Sequence, residues 1–268
     1  MEKEVFKKIF DEPYDKNQEL DEVTNNLLMS GNKAKLKEIV EKEKINVFYR
    51  QDYLISWLSW LYTLNYGEDK LNMIKDFILN NYGEDIYEIN TRYNEKYKSN
   101  ELYFKTVDGE VCVRKLSEVI PAVKKHFLDH GIDIETTSRN GECYNISHDI
   151  SLYLGKDNDI VTGFIYGNTD KSKFLHSWVE TNLFGEYVVI DGTSNSIINK
   201  SGYYSTRHIN ENEILQRLNV KTLKKDYEEY GDFLSKFNFS LTIYLTSRDE
   251  IIKELDKNKE IIRNKVIK

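Results

Sequence analysis

Residues 174–191, FLHSWVETNLFGEYVVID, leave the backbone little choice. Two runs rich in apolar, β-branched and aromatic residues, 174–183 and 186–191, flank a tight turn at Phe184-Gly185. Strands joined by so short a loop pair antiparallel. Successive side chains of a strand point to opposite faces, so His176 and Trp178 share one face while Ser177 and Val179 share the other. On the second strand Tyr187, Val189 and Asp191 go together. A hairpin turning at 184–185 brings Asp191 close to the level of His176 or Trp178.

Upstream, DIVTGFIY (159–166) reads as a third strand, and ELYFKTVDGEVCVRKL alternates around an Asp108-Gly109 turn as a further hairpin. Between these, residues 117–130 read as a helix. Ser117 caps it, Pro121 lies in its first turns, Leu116, Ile120, Val123 and Phe127 face one way, and Gly131 ends it. In CYNISHDISLYLG the apolar residues Ile146, Ile150 and Leu154 repeat at four, which predicts a helix beginning close to Cys143.

The first hundred residues read as helical. Leu36, Ile39 and Val40 lie on one side of 33–43. Leu54, Trp57, Leu58, Leu61 and Leu64 make a broad apolar face over 51–64, with Trp60 read as core alongside Trp57. Leu71, Ile74, Phe77 and Ile78 mark a helix over 69–80 that Gly83 stops. The polar run NTRYNEKYKSN (90–100) is the best boundary, dividing a helical N-terminal region (1–100) from a second domain (101–268). Beyond it, 210–218 and 224–237 read as helices, and SLTIYLT (240–246) as a buried strand. Ser247 and Glu250 form a capping box opening a last helix. These elements predict an α+β fold: a nucleophile helix packed on an antiparallel sheet, with helical additions at both ends.

Composition excludes some functions. The net charge of -7 over 268 residues gives no general attraction to nucleic acid. The segment YLISWLSWLYTL is too short to span a bilayer and the N-terminus lacks the apolar stretch of a signal peptide, so no membrane partner is expected and a cytoplasmic location is. Abundant Lys, Asn, Ile and Tyr suggest AT-rich coding and a microbial source. Two cysteines, Cys112 and Cys143, make no disulfide framework and point to a reducing compartment. A Cys112–Cys143 bridge is the one pairing open to them.

Cys143 is the sharper candidate. A thiol attacks a carbonyl as thiolate, which the N-terminus of a helix and an adjacent imidazole both favour. His176 can supply the imidazole, and a carboxylate at Asp191 can hold its far nitrogen. Other histidines carry less. His148 lies about 140° round the helix from Cys143, and a Cys143, His148, His176 zinc site fits no common spacing. His126 and His130 share a face without a metalloprotease motif, and His208, after Tyr203, Tyr204 and Arg207, is a cleft candidate.

Gly141-Glu142-Cys143, His176-Ser177-Trp178-Val179-Glu180 and Asp191-Gly192-Thr193 resemble the core of the transglutaminase-like group of papain-like cysteine enzymes, over roughly 116–195. Gly192 stands where that group usually has proline. The resemblance implies a papain-like core in which Cys143 is the nucleophile, His176 the base and Asp191 the orienting residue, working through a thioester acyl-enzyme. Trp178, Tyr144 and Asn140 are the candidates for support and substrate contact. It implies a protein or peptide substrate and no metal or organic cofactor. Arg139-Asn140-Gly141-Glu142-Cys143 also resembles the Arg-Gly-Gly-x-Cys of arylamine N-acetyltransferases, which need acetyl-coenzyme A, but the residues after His176 and Asp191 favour the first group. The remaining alternative is a catalytically inactive core carrying a binding module. The sequence carries no signal for oligomeric state or for the choice between water and amine as acyl acceptor.

Overall fold

The computed structural model of the chain describes residues 55, 58–64, 67–83, 86–135, 143–155, 157–166, 173–222 and 224–225. Eight strands form one sheet: β1 (Ile86–Asn94), β2 (Ser99–Thr106), β3 (Gly109–Lys115), β4 (Asn158–Tyr166), β5 (Lys173–Leu183), β6 (Glu186–Asp191), β7 (Ser196–Asn199) and β8 (Ile214–Asn219). Their spatial order is β1-β2-β3-β7-β6-β5-β4-β8, and every neighbouring pair is antiparallel. Helices α1 (Glu68–Tyr82), α2 (Leu116–Val119), α3 (Pro121–Asp129), α4 (Cys143–Leu154) and α5 (Lys200–Thr206) complete an α+β architecture, with helical turns also at 58–63.

Both faces of the sheet are covered. Val179, Val188, Ile190 and Ile197 pack with Val123 and Phe127 of α3 and Ile146 and Ile150 of α4. Trp178, Val189, Ile198 and Val161 pack on the opposite side with Leu58, Leu61, Ile78 and Tyr203. Neighbours Val188, Val189 and Ile190 therefore all leave water, which explains why this strand reads as an unbroken apolar run. Each such side chain contributes about 1.5–3 kcal/mol when buried.

The hairpin at 174–191 forms as expected. Leu183 pairs with Glu186, and Phe184 (φ 53°) and Gly185 (φ 82°) both adopt left-handed backbone, the geometry of the turn that matches strand twist. The second hairpin also forms, closed by the Thr106–Gly109 pair.

Three expectations need correction. The polar run at 90–100 is no linker. It is the hairpin joining β1 to β2, so the sheet crosses residue 100 and residues 86–94 are strand rather than helix. The helix expected over 117–130 breaks at Ile120 (φ -129°, ψ 73°) into α2 and α3, because a proline disfavours helical backbone in the residue before it. Ser117 consequently lies within α2 instead of capping it, and Pro121 opens α3. Finally, 210–218 is a short 3-10 turn, Glu211–Glu213, leading into β8, which pairs with β4. Its pattern suits either element, and the open edge of β4 decides for strand. The readings at 33–43, 226–237, 240–246 and 247–268, and the Trp57 side chain, lie outside the described residues.

Candidate active site

Helix α4 begins at Cys143, as its apolar period predicts. One turn on, the Ser147 hydroxyl donates to the Ser177 carbonyl at 3.0 Å. Residues four apart share a helix face, so this bond draws the start of α4 to the level of His176. Ser177 is itself tied to Thr162 of β4 at 2.8 Å between hydroxyl oxygens. Gly192 allows the approach from the other side. A Cβ there would stand 2.3 Å from Ile146 Cγ2 and 2.5 Å from Ile150 Cδ1, so only glycine lets the turn after β6 lie against α4. A proline ring at this position would meet the same obstruction, and the departure from the transglutaminase-like pattern is thus a packing requirement.

Cys143, His176 and Asp191 come together and are 8 %, 7 % and 2 % exposed. Val179 pairs with Ile190. One further step sets Asp191 across from Trp178 and diagonal to His176, within the range expected from the hairpin. The His176 Nε2–Asp191 Oδ2 distance is 3.0 Å. Cys143 lies close enough to His176 to act on its ionisation, as a hydrogen-bond partner and as a charge. Burial pushes the imidazole toward its neutral form, but the Asp191 carboxylate and the hydrogen bonds to Asp191 and Cys143 outweigh it and raise the His176 pKa above the ordinary range. Burial likewise pushes Asp191 up, and the charge of His176, hydrogen bonds from His176 and Thr193, and the Arg207 charge hold it well below the usual carboxylate range. The pair is poised as imidazolium and carboxylate.

Asp191 is held by more than histidine. Oδ1 accepts from the Thr193 amide at 3.1 Å and the Thr193 hydroxyl at 2.6 Å, and Oδ2 accepts from the Tyr203 hydroxyl at 3.0 Å. The short 3-10 turn that follows ends at Asn195, whose φ of 50° is left-handed. Its amide donates to the Thr63 carbonyl at 2.9 Å and to Ser117 Oγ at 3.1 Å, and its side-chain oxygen accepts from the Ser117 amide at 3.0 Å. The turn is therefore fastened to α2 and to the 58–63 helical segment.

Trp178 is fully buried, its ring 6.2 Å from that of His176 and inclined by 26°. Its Nε1 donates to Glu180 at 3.0 Å, and Glu180 also accepts from Lys200, Arg217 and Tyr204. Tyr144 follows Cys143 in α4, with its ring 6.2 Å from that of His148. Asn140 lies outside the described residues. His148, on α4 itself, is buried with Asp149 4.0 Å away. His126 and His130 face each other across 4.6 Å on α3, and among the described residues no group of three or more His, Cys, Asp or Glu side chains is placed to hold a metal ion. No disulfide joins Cys112 and Cys143. Among the described residues no helix is long and apolar enough to cross a membrane.

Ser147, Gly192, Thr193, Asn195 and Tyr203 shape this site without having been singled out as contributors. Gly192 and Thr193 carried a signal as the last two residues of Asp-Gly-Thr, and Tyr203 stood only as a neighbour of the His208 cleft candidate. In comparisons with protein-family models, curated proteins and solved structures, nothing matches this chain.

Proposed function

We propose that the protein is a cysteine-dependent amide-processing enzyme built on a transglutaminase-like core, with Cys143 as nucleophile, His176 as acid and base, and Asp191 as the residue that orients His176. The observation that carries this reading is the buried Cys143–His176–Asp191 relay, with a raised imidazole between thiol and carboxylate at the start of a helix. In the reaction, Cys143 Sγ attacks the amide carbon, and the C–N bond breaks as His176 gives its proton to the departing amine. A thioester joins the acyl group to Cys143. Water or an amine then attacks it, His176 takes the proton of that nucleophile, and Cys143 leaves as thiolate. A protein or peptide amide is the substrate class that this chemistry serves.

The test is the alkylation of Cys143 by iodoacetamide in folded protein, read by mass spectrometry from pH 4 to 9, with Cys112 as internal reference. Fast labelling of Cys143 below pH 7, strongly slowed in His176→Ala, is the expected result, since the imidazolium is the charge that would hold the thiol as thiolate. Labelling of Cys143 that rises only near pH 8.5 in the unaltered protein refutes the reading and favours an inactive core.

A further inference from the structure

We propose that Tyr203 is a positioning residue of this site, one whose hydroxyl fixes Asp191 Oδ2 and, by sharing that oxygen, limits how tightly the carboxylate keeps a proton on His176. The inference rests on the proposed roles of Cys143, His176 and Asp191.

Tyr203 is delivered by α5, seven residues long. Gly202 lets this helix lie against β3, since a Cβ there would stand 2.9 Å from Val111 Cγ1 and 2.8 Å from Asn199 Oδ1. Asn199 in turn accepts from the Cys112 amide at 2.7 Å and donates to the Glu110 carbonyl at 3.0 Å, so α5 starts from an anchored residue. Tyr203 is then fully buried, with its ring 5.8 Å from Trp178. Burial and the Asp191 charge push its own ionisation well above the ordinary range. The phenol thus stays neutral, and toward a carboxylate it only donates.

Asp191 Oδ2 therefore serves two donors, His176 Nε2 and Tyr203 Oη, at 3.0 Å each. A hydrogen bond to a charged oxygen draws off part of its charge and lowers its basicity. The groups facing the pair are Cys143 from α4, Thr193 on Asp191 Oδ1, Tyr203 from α5 and Arg207 just beyond it. Of these, Tyr203 alone is a neutral donor on the oxygen that His176 uses. A general acid held too strongly protonated gives its proton up slowly. Tyr203 thereby keeps His176 charged enough to pair with the thiolate and acidic enough to release its proton to the departing amine.

The substitution Tyr203→Phe keeps the ring and removes the donor. In protein labelled with 15N-histidine, the His176 titration midpoint is expected to rise by about one pH unit, with the upper inflection of the Cys143 alkylation profile rising alongside. A role confined to filling space leaves both unchanged, so an unchanged or lowered midpoint overturns the proposal while leaving the Cys143–His176 pair standing. A His176 that titrates in the ordinary range in the unaltered protein, with Cys143 unreactive below pH 7, removes the triad reading and this proposal together. A raised midpoint in Tyr203→Phe, against a His176 already raised in the unaltered protein, supports it.

Discussion

Two cysteines lie at comparable depth in this molecule, Cys112 at 6 % exposure and Cys143 at 8 %, and their surroundings oppose each other. Cys112 sits on β3 at the β1–β3 end of the sheet. Burial, the Glu101 charge and a 3.2 Å hydrogen bond to Glu110 push its thiol up to about 12. Arg92 Nη2 donates to Cys112 Sγ at 3.5 Å, but both nearby guanidinium groups meet carboxylates at shorter range: Arg114 Nε meets Glu101 at 2.6 Å, while Arg92 reaches Glu101 and Glu110, also at 2.6 Å each. Cys143 instead lies against His176, whose imidazole is raised. Burial by itself disarms a thiol, and under the proposed function the adjacent imidazole is what would rearm Cys143.

The largest expected effect comes from breaking the inert side of this contrast. Glu101 is fully buried and Arg114 nearly so, so Glu101→Gln takes from the buried guanidinium the nearer of its two carboxylates, leaving Glu186 at 3.5 Å, and is expected to cost about 3–5 kcal/mol in urea denaturation. The same change lifts the negative charge from Cys112, whose alkylation rises while that of Cys143 stays as it was. Next comes Gly192→Ala. The added methyl collides with Ile146 and Ile150 and is expected to cost about 1–3 kcal/mol in thermal melts. It also pushes α4 outward, so alkylation of Cys143 falls and that of Cys112 does not.

The gentlest effect is spread along the pH axis. The folded His176 pKa is raised, so its contribution to stability is complete below the unfolded value of about 6.5 and is lost as pH rises toward the folded one. The folded Asp191 pKa is lowered, so its contribution is complete above about 3.9 and is lost as pH falls. The unfolding free energy should therefore decline above neutrality, with a slope of at most about 1.4 kcal/mol per pH unit for one proton, and the melting temperature should fall with it. His176→Ala should flatten that limb, and a limb of unchanged slope would show that other groups produce it.

The parts of this site that the sequence discloses are those governed by short-range rules. The β5–β6 hairpin follows from alternation and one two-residue turn, and the start of α4 follows from apolar residues four apart. The hairpin brings Asp191 close to the level of His176, and it is the resemblance of the three motifs that adds Cys143 to them. What stayed hidden depends on partners distant in the chain. Residues Ile86–Asn94 are strand because β2 lies beside them, and their exposed face kept them polar and easily read as linker. Residues Ile214–Asn219 are strand because β4 offers an open edge. Tyr203 sits in a helix too short to show a period, and its use appears only once β6 lies beneath it. Gly192 looked like turn punctuation, since nothing in Asp-Gly-Thr announces a helix passing 2.3 Å from an absent methyl.

The fastening of Asn195 to Thr63 and Ser117 bears on how this chain can be dissected. Thr63 and β1 belong to the segment that looked separable from the cysteine-bearing portion. A fragment begun at residue 101 would forfeit both, leaving β2 as a raw edge and the loop beneath Asp191 without one of its moorings. Subcloning at that seam would not isolate the candidate site intact. It would cut a keystone out of the arch that holds the carboxylate.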